Sequence, residues 1–135
     1  MGVFSSNELK RLKILKFPSI FIVNIAEEQI LTGHWIAIRI DQKSVEIFDS
    51  LGFSYNNWGM RSPHLKLFVD KYRVTHKIFS TPVLQPLNSY TCGYYCLFYV
   101  LFRKSSSFRA LTNFFSKNLK LNDERVLDAV FRKIN

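Results

Sequence analysis

The stretch TCGYYCLFYVLFR, residues 91–103, decides how the rest of the chain is read. It holds both cysteines of the protein, Cys92 and Cys96. From Tyr94 to Phe102 it is apolar or aromatic with no helix breaker. That run is long enough for a buried helix, and its lack of a polar stripe suits a central one. Gly93 is a poor interior helix residue, so the helix is expected to start at Thr91–Gly93. Cys92 then stands at a helix N-terminus, where unpaired N–H groups and the positive end of the helix dipole favour a thiolate. The competing reading is a small buried apolar residue, as most free cysteines are. Cys96 falls one turn further in and reads as core.

Working outward, residues 81–91 form a loop with Pro82, Gln85, Pro86 and Asn88, and Val74–Ser80 before it reads as a strand. A helix is predicted from Pro63 to Tyr72, capped by Ser62 with proline at its first position. Residues His34–Ile40 (HWIAIRI) are apolar on both faces apart from Arg39, which predicts a central strand. Asp41-Gln42-Lys43-Ser44 is turn chemistry, and Val45–Asp49 is the returning strand of an antiparallel hairpin. His34 opens that hairpin and Asp49 closes it, so the two side chains start side by side. Ser19–Ile25 reads as a strand and residues 26–32 as a polar connection. A first helix is expected from Phe4 to about Leu15, with Ser5 and Glu8 as a capping box and Phe4 and Leu9 as its staple. Downstream, Ser107–Ser116 reads as helical, and Asn122 is expected to cap a last helix with Val126, Val130 and Phe131 on its apolar face. The chain of 135 residues, with no repeat, reads as a single domain, 1–135.

Hydrophobic residues make up 47% and aromatic residues 16%, which is enough for a packed core. No apolar run reaches about 18 residues, so no membrane span is expected, and residues 1–13 are too charged for a secretory signal. Two thiols within one helix are poorly placed for a disulfide and too few for a zinc site, which points to a reducing compartment. The net charge is +9. Residues 1–16 carry +3 and residues 103–135 carry +5, while the middle carries +1. If the two ends meet, Lys10, Arg11, Lys13, Arg103, Lys104, Arg109, Lys117 and Lys120 are the candidates for a nucleic-acid surface. The alternative is a solvated surface with no partner.

A cysteine hydrolase needs a thiolate, an imidazole that takes and returns a proton, a group that orients the imidazole, and donors for the oxyanion. Cys92, His34 and Asp49 supply the first three. Gln85 lies in the loop before the cysteine, where its amide and the Cys92 N–H are the candidate donors. Asp41 and Glu46 are rivals to Asp49, but both fall nearer the turn. His64 and His76 read as surface residues.

The order His34-Trp35, Asp49-Ser50, Gln85, Cys92-Gly93 resembles the adenovirus protease (adenain) family and the related Ulp/SENP SUMO proteases. The spacing of Gln85 to Cys92, the phrase from Phe48 to Phe53 and the phrase from Asn88 to Gly93 are closer to adenain. The resemblance covers residues 33–102 well and extends weakly to Asn122–Ile134. It implies an α+β, papain-like/adenain-like fold, with a mixed central sheet packed against the helix that carries the nucleophile and with flanking helices. It also implies a monomeric cysteine endopeptidase that cuts viral or virus-like structural precursors near glycine-containing sites, inside cells, in the host nucleus or the virion. In that family a tryptophan narrows the cleft, the place taken here by Trp35, with Gly33 and Gly93 beside it. The chain departs from adenain in length, in having Asp49 where adenain has a glutamate, and in lacking the cysteine to which the activating peptide is linked. Activation by DNA stays open, and no other cofactor is expected. The short form suits a protease of a Polinton/Maverick-type element or a small DNA virus. Two rivals stand beside this reading: a protease that deconjugates SUMO or another ubiquitin-like protein, and a silent basic nucleic-acid-binding module on the same fold.

Overall fold

The computed structural model describes residues 2–25, 33–53 and 62–135; the expected connection at 26–32 lies outside them. Among these residues a five-stranded sheet runs in the order β1-β2-β3-β4-β5. The strands are β1 (Gly2–Ser5), β2 (Ser19–Asn24), β3 (Trp35–Ile40), β4 (Ser44–Phe48) and β5 (Lys77–Ser80). The three inner strands are antiparallel, while both edge strands join in parallel. β3 is central, as its two apolar faces require. The helices are α1 (Pro63–Arg73), α2 (Cys92–Phe102), α3 (Phe108–Asn113) and α4 (Leu119–Ile134).

The period of two divides the strands between two cores. Phe21, Val23, Ile36, Ile38, Val45 and Ile47 face one side, with Leu65, Phe68 and Val69 of α1. Ile22, Ala37 and Phe48 face the other, with Tyr95, Cys96, Phe98 and Tyr99 of α2. Ala37 leaves room for the helix backbone to come close to the central strand. Phe48 stacks on Tyr99 with ring centres 4.8 Å apart, a contact worth about 0.5–1.5 kcal/mol beyond its burial. α4 supplies Val126 and Val130 to the same core, so α2 is covered on both sides.

Four expectations are corrected. The first element is not a helix from Phe4: Gly2–Ser5 extends the sheet beside β2 and only Ser6–Arg11 coils, as a 3-10 helix. The capping box is nevertheless real, with Ser5 N–H donating to Glu8 Oε1 at 3.1 Å. Pairing with β2 satisfies backbone groups that an isolated first turn would leave open. The strand predicted from Val74 begins only at Lys77, because Thr75 and His76 donate back to the Tyr72 carbonyl and finish α1. The helix expected to Ser116 stops at Asn113. Asn122 does not cap α4; Asn118 does, accepting from the Leu121 N–H at 3.3 Å.

Candidate active site

His34 directly precedes β3, and its carbonyl accepts from the Ile25 N–H at 2.9 Å. Asp49 directly follows β4. The hairpin brings the two together, with His34 Nε2 2.5 Å from Asp49 Oδ1. Asp49 is 1% exposed. Its carboxylate also accepts from the Leu51 N–H at 2.9 Å and the Phe53 N–H at 3.1 Å. Thr81 bonds both the N–H and the carbonyl of Asp49. The carboxylate is therefore fixed by backbone, and Phe53 sets its ring edge-on against His34 at 5.9 Å.

Cys92 is the first residue of α2. His34 and the backbone N–H groups of Trp35 and Gly93 surround its thiol and act on its charge. Since Nε2 faces Asp49, Nδ1 is the nitrogen left for sulfur. Burial pushes the thiol up, but these donors and the His34 charge outweigh it, and the Cys92 pKa falls below the ordinary thiol value. Burial likewise disfavours charged His34, yet Asp49 and Cys92 overcome it and raise the imidazole to about 9. Both shifts favour a thiolate–imidazolium pair.

Thr91 precedes α2 but caps none of its N–H groups. Its hydroxyl instead donates to Asp123 Oδ1 of α4 at 2.8 Å, so the helix end stays available to the sulfur. The Tyr95 hydroxyl donates to the same oxygen at 2.8 Å.

Gln85 is buried in the loop before α2. Its Oε1 accepts from Ser50 Oγ at 2.5 Å, and its Nε2 donates to the Ser89 carbonyl at 2.9 Å. An amide nitrogen carries two protons, and that bond uses one. The Ser50 carbonyl also accepts the N–H groups of Leu84 and Gln85. Thus Asp49 holds the imidazole while its neighbour Ser50 holds the Gln85 loop. Asn122, inside α4, donates to the Leu84 carbonyl at 2.9 Å and pins the loop from the other side.

The remaining candidates divide clearly. Cys96 is 1% exposed, and burial pushes its thiol well up, with negative Cys92 and Asp49 adding to the effect. Asp41 builds the hairpin turn, accepting from the Lys43 and Ser44 N–H groups at 2.9 Å each. Glu46 is bonded on both oxygens by Arg103. Neither acid serves His34. His76 donates or accepts at Thr75 and Asp41 rather than near Cys92, and His64 sits in the first turn of α1. A side chain on Gly33 would meet Asn24 at 2.2 Å, whereas one on Gly93 would meet nothing within 4 Å. Lys13 and Lys104 line one groove and so bring the basic ends together. Lys10, Arg11, Arg109, Lys117 and Lys120 do not line it, and the Arg103 fork is committed to Glu46. Among the described residues no group of three or more His, Cys, Asp or Glu could hold a metal ion, and no helix is long and apolar enough to cross a membrane.

Sequence reasoning missed Ser50, Asn122 and Asp123 as supports of the site. Asn122 had one usable signal: an amide at a spacing that α4 turns toward its core face.

No family model matches the chain, and no curated protein does. Its fold is similar to that of ChlaDub1 from Chlamydia trachomatis. The match covers 86% of this chain and 58% of that one, at 16% identity and a TM-score of 0.55. The ASFV pS273R protease matches over 79% of this chain and 43% of its own, at 21% identity and a TM-score of 0.46. The SUMO protease Ulp1, with its catalytic cysteine oxidised to a sulfinic acid, matches over 96% and 60%, at 16% identity and a TM-score of 0.39. The chain thus spans about 58% of the length of ChlaDub1. The ChlaDub1 likeness establishes the fold; the chemistry has to be read from the residues.

Proposed function

We propose that the protein is a cysteine peptidase with Cys92 as nucleophile, His34 as acid and base, and Asp49 as the group that orients His34. The observation that carries this reading is the Asp49–His34 hydrogen bond beside Cys92, with the thiol pKa lowered and the imidazole raised to about 9. The Cys92 thiolate attacks the scissile carbonyl carbon. The negative oxygen that forms is met by the Cys92 N–H and the second Nε2 proton of Gln85. His34 gives its proton to the leaving amine, which departs and leaves a thioester on Cys92. Water then attacks the thioester, with His34 taking its proton, and the acid product leaves.

The finer reading is an endopeptidase of the adenain type acting on structural precursors near glycine-containing sites, supported by the run from Asn88 to Gly93. A second reading is removal of ubiquitin-like proteins. One residue favours it: the orienting acid is Asp49, and the resemblance places aspartate in the Ulp/SENP branch. The deciding experiment offers the protein a glycine-containing precursor-type peptide and a SUMO-tail substrate in parallel, with and without DNA. Turnover of either that Cys92→Ala abolishes supports the peptidase. Failure of both, with no rapid alkylation of Cys92, overturns it.

A further inference from the structure

At the far end of α2 from Cys92, about 16 Å along the helix, lies a groove that the proposed chemistry does not use. It encloses about 1020 Å³ where residues 12–21 meet Val100, Arg103 and Lys104. Its floor is apolar, formed by Phe4, Leu12, Ile20 and Val100. Around it stand Lys13, Lys16 and Lys104, all exposed. Among the described residues none of these three is in an ion pair. Arg39 and Arg103 also reach the groove, but Asp41 and Glu46 match their charges. Among the described residues no aspartate or glutamate lines it. Leu15, at its edge, is 91% exposed.

We propose that this groove docks an acidic, leucine-rich segment of a partner protein. The occupant follows from complementarity. Aliphatic side chains would cover the floor and Leu15, and carboxylates would reach the three lysines. Nucleic acid answers only half of this surface. Its phosphates would use the lysines, but duplex DNA presents little aliphatic surface to the floor, and of the aromatic platforms a single strand prefers the described lining offers only Phe4 and the buried Phe21. An uncovered apolar groove rimmed by cations of one sign matches an amphipathic acidic peptide on both counts. The proposal concerns binding alone and stands whether or not Cys92 is a nucleophile.

The test uses the full chain and a short fluorescein-labelled peptide of alternating Glu and Leu, read by fluorescence anisotropy. The peptide should bind, and binding should weaken as salt rises. Lys16→Glu with Lys104→Glu should weaken it by about tenfold or more. Leu15→Ser should weaken it several-fold while leaving the salt dependence as it was, and a peptide with Ser in place of Leu should bind poorly. These side chains are exposed, so the variants keep their fold, which an unchanged Tm verifies. Absence of binding at low salt, or wild-type affinity in both variants, overturns the proposal. A labelled DNA duplex that binds more tightly than the peptide and is indifferent to Leu15→Ser would assign the groove to nucleic acid instead.

Discussion

At the scale of single residues, the proton on the Cys92–His34 pair sets the first prediction. The thiolate–imidazolium form needs Cys92 deprotonated and His34 protonated. Activity should therefore rise as pH passes the lowered thiol pKa and fall as pH passes about 9, where His34 loses its proton. A pH–rate profile checks both limbs; an alkaline limb near the ordinary histidine value would contradict the raised His34 pKa and with it the ion-pair form. Cys92→Ala should abolish turnover and alkylation at that site, while Cys96→Ala, which removes a thiol held protonated in the core, keeps most activity. Gln85→Ala should cut turnover by about 10²–10³ and leave alkylation of Cys92 by small reagents nearly intact. Unchanged turnover would remove Gln85 from the oxyanion site. Gly52 has φ +67, and a Cβ there would sit 2.5 Å from the backbone nitrogen of Val83. Since backbone cannot swing aside, Gly52→Ala should cost about 1–3 kcal/mol and loosen Asp49, whose carbonyl accepts from the Gly52 N–H. His34, Asp49 and Cys92 were legible in the sequence because each sits at the end of an element whose period or cap is local. Ser50 was not, since its partner Gln85 lies 35 residues away.

At the scale of elements, α4 reaches the N-terminal end of α2 with one carboxylate, besides packing against it. Asp123 holds the Thr91 hydroxyl away from the α2 terminus, which threonine is by type able to cap. Asp123→Ala should free that hydroxyl to compete with sulfur for the same N–H groups, and the pH at which Cys92 becomes alkylated should move up. Thr91→Val in the same background should reverse the shift. An alkylation profile identical to that of the parent would break the link. Gly93→Ala tests the open side of the same turn. It should raise stability by up to about 1 kcal/mol, because alanine is the better helix former. If substrate lies over this turn, KM rises at the same time; an unchanged KM moves the cleft elsewhere. The helix boundaries on this side were misread for a physical reason. Asn118 and Asn122 are both good caps by type, and only the core decides that Asn122, with no exposure, belongs inside. The Cys92 helix needed no such help, because its apolar run is unbroken from Tyr94 to Phe102.

At the scale of the whole molecule, a buried ion cluster ties the sheet to the C-terminal end of α2. Glu46 receives Arg103 on both oxygens, at 2.9 and 2.8 Å, together with the Tyr99 hydroxyl, and Arg39 approaches within 3.6 Å. Glu46→Ala should cost about 3–5 kcal/mol, since it strands the Arg103 guanidinium and the Tyr99 hydroxyl in a largely buried place, while Arg39 keeps Asp41. Denaturant unfolding measures this, and a loss under about 1 kcal/mol would show the cluster to be ornamental. No local pattern could foretell it, because Glu46 and Arg103 are 57 residues apart. The same distance explains why Arg103 was grouped with the exposed basic residues. The hairpin was foreseeable and its docking was not. That division carries over to the chemistry. His34 and Asp49 can meet as soon as a local hairpin closes, 15 residues apart. Cys92 joins them only when α2 has settled against the sheet, a contact of much longer range. The acidity of the thiol is thus a certificate of completed folding. An unfinished or misassembled copy carries an ordinary, sluggish cysteine, so if the proposed function holds, the chain gains its reactive thiol only with its final shape.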